Sequence, residues 1–410
     1  MSRKIKENAV QSSPVWETLE PYVRGCVREV IQVLLEQEVT EFLGRVKSER
    51  RDPDDAVVYR NGYGKPRKLG MMGGTITVQR PRVRGLDERF ESQLLPLFRR
   101  QSKEVSGMLP ELYLHGLALG DFELALRGLL GKGAALSAAS MVRAKGQWQA
   151  SYEDWRQRDL SALEVVYGWA DGLYVKAGLE AGKAALLVVV VATSDGKKHI
   201  VAVESGERES AESWSRVLRD LKARGLNAPR LLLADGNLGI WGALASLWPA
   251  CAEQRCWNHK LVNVLDQVPK KKQPAVKAWL SKIMYAETRE EAERLRRQCV
   301  AQYRKLFPKA METLERDWDR MVTYYDFPKE HWKHLRTTNI IESPFAAVRL
   351  RTTAAKRFKR VENACALIWK LLCVAEKTFR RLNAPELLKD VANGVKYVNG
   401  VAVHSKRKVA

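Results

Sequence analysis

The chain has 410 residues, 45% of them hydrophobic, and carries 70 Lys and Arg against 48 Asp and Glu, a formal charge of +22. The length exceeds one ordinary core and calls for two or three domains. The charge calls for a polyanionic partner unless the protein is merely basic or ribosome-associated, and the longest apolar run, Ala184 to Thr193, is too short to span a bilayer.

In chain order, residues 15–47 carry apolar positions at helical spacing (Leu19, Val23, Val27, Val30, Leu34), predicting one or two helices. Residues 60–84 hold seven Lys/Arg and no acid. Thr75–Gln79 alternates as a short strand after a Gly73-Gly74 turn. With no counter-charge nearby in sequence, Arg60, Lys65, Arg67, Lys68, Arg80, Arg82 and Arg84 are candidates for phosphate contact, against the alternative of a solvated basic hairpin. Ser102–Leu119 reads as a helix kinked or split by Pro110, and Asp121–Leu130 as a second, closed by Gly131. Ser137 can cap a third helix starting near Ala138, which carries Arg143 and Lys145. Short helix, Gly turn and Ser-capped basic helix have helix-turn-helix texture, a pattern many small helical domains share.

From residue 162 the pattern becomes strand-rich. Strands are expected at 164–169, 172–177, 184–193, 198–204, 230–234 and 250–255, with helices at 209–224 and 238–247. Val188 to Val191 favour a central strand. This is an α/β pattern with a mixed sheet covered by helices. Residues 257–335 read as helical, with a Thr288/Glu291 capping box and Pro308 in a helix's first turn. A further amphipathic helix or pair follows at 361–391. Residues 336–381 hold eleven Lys/Arg against three acids, a second phosphate-facing candidate. His404 to Ala410 reads as a basic, frayed end. The expected organisation is a helical and basic-hairpin region (1–100), a helix-turn-helix-like region (101–160), a catalytic core in two parts (161–268 and 336–391) separated by a helical insertion (269–335), and a basic tail (392–410).

Asp171 and Asp235 each end or interrupt an apolar run that reads as a buried strand, where a carboxylate is expensive to desolvate. Asp235 follows a strand and precedes a helix, the position where open α/β sheets hold ligands. Glu342 lies 107 residues further on. Three carboxylates brought together would repel unless divalent cations joined them. Taken singly, each has a plain reading: Asp-Gly pairs are commonly turns, and a lone helical Glu is usually a surface residue.

The contexts of these acids resemble the Mutator-like bacterial insertion-sequence transposases. Arg60-Asn61-Gly62-Tyr63 and Pro81-Arg82 resemble that family's N-terminal basic block. Asp171-Gly172-Leu173-Tyr174-Val175-Lys176 resembles its first catalytic strand, and Asp235-Gly236 the second. Gln254 to Lys260 with Asn263-Val264-Leu265 resembles the Cys-x-x-His block. Thr337 to Glu342 and Arg349-Leu350-Arg351-Thr352 resemble the third. The resemblance implies an RNase H-like core with an Asp-Asp-Glu triad, Asp171, Asp235 and Glu342, holding two Mg²⁺ ions, with Mn²⁺ as a substitute. It also implies cleavage and strand transfer of double-stranded DNA at terminal inverted repeats, paired ends on a homodimer or higher assembly, and a bacterial cytoplasmic, nucleoid-associated protein without a membrane partner. Two rivals are a catalytically silent DNA-binding regulator derived from a transposase, and another RNase H-like nuclease such as a junction resolvase. The resolvase has little use for the basic N-terminal region or the long insertion.

The six cysteines lack framework spacing and read as reduced thiols of a cytosolic protein, and the polar opening Met-Ser-Arg-Lys is not a signal peptide. Cys256 and His259 lack a second ligand pair, which argues against structural zinc. They read equally as a buried, hydrogen-bonded pair or as a DNA-contacting block beside Lys260. Pro344 leaves two expectations for Glu342: a helix starting near Ser343, or one starting a turn earlier and kinked. Phe345, Val348 and Thr352 form the inward stripe of that helix, with Arg349 and Arg351 turned toward phosphates. Trp332 reads as a packing residue in preference to a base-stacking one.

Overall fold

Residues 15–47 form one long helix, α1 (Leu19–Leu43), entered through a 3-10 turn at Trp16–Thr18 and ended by Gly44 with a left-handed φ of 65°. The computed structural model describes residues 15–50, 58–85, 90–96, 99–117, 121–130, 138–178, 183–206, 208–236 and 238–403. It comprises two compact units, Met1–Ala144 and Lys145–Ala410.

In the first unit four short strands follow α1: β1 (Tyr59–Tyr63), β2 (Arg67–Met71), β3 (Gly74–Val78) and β4 (Pro81–Arg84). β2 and β3 form the hairpin expected around the Gly73-Gly74 turn, and β1 pairs antiparallel with β4. Leu35 of α1 packs against Ile76, Val78 and Leu95. α2 (Lys103–Leu114) is capped by Ser102, whose Oγ accepts from the Val105 N–H at 3.4 Å, and runs through Pro110 without splitting. α3 spans Phe122–Leu130. α4 (Ala138–Arg156), whose residues from Lys145 onward belong to the second unit, begins where expected; its Ser137 cap and Gly131 lie outside the described residues.

The second unit is built on a five-stranded sheet: β5 (Val165–Lys176), β6 (Lys183–Thr193), β7 (Lys198–Gly206), β8 (Leu231–Ala234) and β9 (Ala252–Arg255), in the order β7-β6-β5-β8-β9. The first three strands are mutually antiparallel; β8 runs parallel to β5, and β9 parallel to β8. The run Val188–Val191 is interior, as its β-branched composition predicted, and fully buried. The two strands expected at 164–169 and 172–177 are one. Asp171-Gly172 is not a turn, because both residues stay in register with Val188 and Leu187 of β6.

α5 (Ala211–Ala223) and α6 (Leu238–Leu247) cover one face of this sheet, where Ala170, Leu232 and Ala234 join Trp214, Leu218 and Leu244 in a single cluster. Side chains alternate across a strand, so Tyr167, Trp169 and Asp171 of β5 face the other way. Leu233 does the same on β8, and Asp235 follows it at the same parity.

After β9 comes the helical stretch: α7 (Trp257–Leu265), α8 (Gln273–Met284), α9 (Arg289–Tyr303), α10 (Pro308–Glu315), α11 (Trp318–Met321) and α12 (Trp332–Leu335). Thr288 Oγ1 accepts from the Glu291 N–H at 3.2 Å, and Pro308 opens α10, both as expected. The Glu291 carboxylate accepts from Glu287 N–H instead of from Thr288, so the reciprocal half of the capping box is displaced by one residue. α13 (Asn339–Ala355) packs against β5, and α14 (Val361–Glu376) against β7. α15 (Leu387–Ala392) and a hairpin of β10 (Tyr397–Val398) with β11 (Val401–Ala402) complete the unit. The expected frayed end, His404 to Ala410, lies outside the described residues. Among those described, no helix is long and apolar enough to cross a membrane.

Candidate active site

The segment from His331 to Glu342 runs along the open face of β5. Tyr167 Oη lies 2.8 Å from His331 Nδ1, and Trp169 Nε1 donates to the His334 carbonyl at 3.1 Å. The next residue on this face is Asp171. Parallel pairing sets Trp169 beside Leu233, so the same register, carried two residues on, sets Asp171 level with Asp235. Two carboxylates thus share one sheet face because two strands are parallel and in step.

Asp171 is 9% exposed and Asp235 and Glu342 are half-exposed. Burial pushes the Asp171 carboxyl up to about 7. Glu209 and Glu342 add to the rise; His259 and the Gly172 N–H, which donates to Asp171 Oδ1 at 2.8 Å, oppose it. His259 stands between the acids, its Nδ1 3.5 Å from Asp235 Oδ1 and 3.7 Å from Glu342 Oε1. Burial alone would lower its pKa. The hydrogen bond to the Cys256 sulfur, first, and the electrostatic influence of Cys256, Asp235 and Asp171 outweigh that, lifting it to about 9. At neutral pH an imidazolium is therefore the local counter-charge to the acids.

Glu342 is placed by α13. The helix starts at Asn339, a turn before Pro344, so of the two expectations the earlier start holds. Pro344 supplies no N–H, leaving the Ile340 carbonyl without its helical donor. Thr338, at the N-cap, does not cap the backbone. Its Oγ1 lies 2.5 Å from Glu342 Oε1, and its N–H donates to Cys256 Sγ at 3.3 Å. Its one hydroxyl proton goes to the nearer, carboxylate acceptor, the stronger kind of hydrogen bond.

Cys256 and His259 lie at the start of α7, and the residues before them tie sheet to helices. Gln254 Nε2 donates to the Arg255 carbonyl at 2.8 Å, and its Oε1 accepts from Tyr324 N–H at 2.9 Å. Trp257 Nε1 donates to the Met321 carbonyl at 2.9 Å. Arg255 Nε donates to the Asp235 carbonyl at 3.1 Å while its Nη1 pairs with Asp317 at 3.0 Å. Gly236, with φ +98°, is what lets this guanidinium lie over the loop: a Cβ there would fall 2.1 Å from Arg255 Nε. Cys256 is fully buried while the His259 side chain is 31% exposed, so of the hydrogen-bonded pair only the cysteine is buried. Cys256, His259 and Glu342 offer ligand atoms within 4.8 Å of one another, and no fourth ligand joins them among the described residues.

Three residues of this site carried no role in the sequence reading. Thr338 and Arg255 lie inside quoted blocks but act through contacts 82 and 62 residues away. Glu209 has no local signal at all. It lies against β5 because Gly172 has no side chain: a Cβ there would lie 2.1 Å from Glu209 Oε1, on the sheet face opposite the Asp171 side chain, and the Glu209 charge helps to raise the Asp171 pKa.

The basic candidates divide. Lys65, Lys68, Arg82, Arg84, Arg143, Lys145 and Arg349 are exposed. Arg60 does have a counter-charge, from a distant helix: it pairs with Glu36 of α1 at 3.2 Å and donates to Thr40 Oγ1 at 2.6 Å. Arg67, half-buried, donates to the Arg99 carbonyl at 2.7 Å, and Arg80 is also half-buried. Two expectations are corrected. Lys260 is fully buried and its Nζ donates to the Arg316 carbonyl; burial first, then neighbouring Arg255, lowers its pKa to about 7. Arg351 is 2% exposed. Arg349 stands seven residues beyond Glu342 and shares its side of α13, whereas two residues more turn Arg351 onto the face of Phe345 and Val348. Trp332 is a packing residue, as preferred: it is buried beside Tyr324 and Tyr325 and donates to the Phe327 carbonyl at 2.8 Å.

The fold and site define a mixed-sheet α/β protein that gathers acids from two parallel strands and one helix around a histidine. Residues 2–381 match the family described as "Transposase, Mutator family". The chain belongs to that family. It is 43% identical over 296 residues to the transposase for insertion sequence element IS6120 of Mycolicibacterium smegmatis, covering 72% of this chain and 92% of that one. It is 41% identical to the transposase for element IST2 of Acidithiobacillus ferrooxidans (68% and 94% covered) and 31% identical to that for IS406 of Burkholderia multivorans (84% and 89%).

Proposed function

We propose that this protein is a DNA transposase of the Asp-Asp-Glu type, with Asp171, Asp235 and Glu342 as its catalytic acids. The observation that carries the reading is their convergence: two acids in register on one sheet face, and the third brought to the same histidine by α13. The sheet supports an RNase H-like core, its third, second and first strands antiparallel and its fourth and fifth added in parallel beyond the first. The stretch 269–335 then reads as a helical insertion between the second and third acids.

The donor set suits Mg²⁺, a hard cation that takes carboxylate oxygens and keeps positions for water and phosphate. Asp171, Asp235 and Glu342 would hold it, and a buried acid raised to about 7 is the kind of group that such a charge relieves. When bound, a pair of such ions would activate water or a terminal 3′-hydroxyl and stabilise the leaving 3′-oxygen. The chain's own part is positional. Strand register fixes the two aspartates, Thr338 orients Glu342, and Arg255 holds the Asp235 backbone. Arg349, exposed on the same side of α13 as Glu342, is placed to meet the phosphate backbone of double-stranded DNA. Lys65, Lys68, Arg82 and Arg84 form a second phosphate-facing group in the first unit.

The test is a cleavage assay on DNA carrying the element's own ends, with Mg²⁺, with EDTA, and with Asp235→Asn. Metal-dependent cleavage and strand-transfer products, lost in the variant, are expected. Tight end-binding without cleavage in any metal would instead make the protein a catalytically silent regulator.

A further inference from the structure

α1 carries two apolar stripes, and the first unit uses one of them. The inner stripe, Val27, Ile31 and Leu35, packs on the β2–β3 hairpin. The outer stripe is Leu19, Val23, Cys26, Val30 and Val33, headed by Trp16 of the 3-10 turn that enters the helix. All six are exposed, Trp16 at 85%, Val30 at 58% and Val33 at 56%. Their spacing alternates three and four residues without a break. That is the 3.5-residue period of a helix-to-helix seam, not the broader scatter of a solvated face.

With the adjoining Tyr22 and Leu34, also exposed, the stripe leaves on the order of 700 Å² of apolar surface to water, near the ~800 Å² per partner of a standard protein interface. The largest apolar patch on an ordinary monomer is smaller, about 300–600 Å².

We propose that this stripe is a self-association surface, on which a second copy of the chain lays the same stripe in a parallel, in-register pair of helices. Three features select a second copy. A 3.5-residue seam is complementary to its own image, because each knob fits the hole between four residues of an identical helix. Valines at positions 23 and 30, alternating with Leu19 and Cys26, follow the β-branched pattern that favours two parallel strands. The flanking charges also permit it: in that register Glu20 falls opposite Val15 and Glu29 opposite Leu34, and Glu36, which falls opposite Glu41 beyond the last seam residue, is already paired with Arg60 of its own chain at 3.2 Å. The basic residues of the helix, Arg24 and Arg28, lie off the seam; Arg24 stands against Gly74 of the hairpin.

The pairing brings the two Cys26 thiols together at mid-seam, which gives the test. Full-length protein without DNA is measured by sedimentation velocity at micromolar concentration, and in parallel is treated with a short bismaleimide. The expected result is a dimer mass and a covalent dimer that Cys26→Ser abolishes. Val23→Glu with Val30→Glu should halve the mass and remove the cross-link while leaving the circular dichroism and melting temperature unchanged, since both side chains are exposed. Leu19→Lys gives an independent disruption should the double variant misfold. A monomeric wild type would overturn the proposal and assign the stripe to another segment of the same chain. A dimer mass untouched by either variant would overturn it too, and a dimer with no Cys26 cross-link would overturn the parallel register.

Discussion

Asp171 and Glu342 both lie within the electrostatic reach of His259, and they are placed by different means. Asp171 is fixed by backbone: its strand is paired on one side with β6 throughout and on the other with β8, and the carboxylate leaves that frame through a short side chain. Glu342 stands on the first turn of a helix whose ladder is interrupted by Pro344, on a longer side chain steadied by a single hydroxyl. The first acid is placed by the sheet and the third by a side-chain tether. The site should therefore tolerate changes around Glu342 that it would not tolerate around Asp171.

The largest expected effect removes the difference altogether. Asp171→Asn, Asp235→Asn and Glu342→Gln should each reduce DNA cleavage to background in a gel assay while DNA binding persists; normal cleavage by any one variant would take its residue out of the site. Next comes stability. The Asp171 carboxyl is raised to about 7 by burial. A raised acid favours the folded state most below its unfolded pKa, and that contribution is lost as pH rises from about 4 through 7. Metal-free protein should accordingly lose stability over that interval. Asp171→Asn should flatten the dependence and stabilise the metal-free fold at neutral pH by up to about 4 kcal/mol, read from urea unfolding.

The tether itself is tested by Thr338→Val, expected to slow cleavage about 10–100-fold, the usual scale for groups that orient a metal ligand. Thr338→Ser should recover most of the rate; equal loss in both variants would mean that packing of the methyl group, not the hydroxyl, matters. The smallest effect lies farthest from the acids. Neutralising Lys68, Arg82 and Arg84 together should weaken DNA binding uniformly and lower the salt slope by roughly two to three, measured by fluorescence anisotropy across salt concentrations.

The sheet was legible because its strands are apolar runs of strand length. The acids were singled out because their flanking residues resemble a known family. What escaped depends on distance in sequence. The Asp-Gly pair at 171–172 has turn chemistry locally, and pairing with β6 overrides it. Arg60 looked uncompensated because Glu36, its partner, lies 24 residues away. Lys260 and Arg351 counted as surface cations by type, although helix register turns both inward. Glu209 could not be found from sequence, since nothing near it marks the close approach that Gly172 permits.

The most direct test of the central claim, that acids from two strands and a helix form one site, is Mg²⁺-dependent cleavage of the element's own ends by wild type and by Asp235→Asn side by side. Cleavage by the wild type, abolished by EDTA and absent from a variant that still binds the ends, is the result expected. Cleavage of equal rate by the variant would contradict the account.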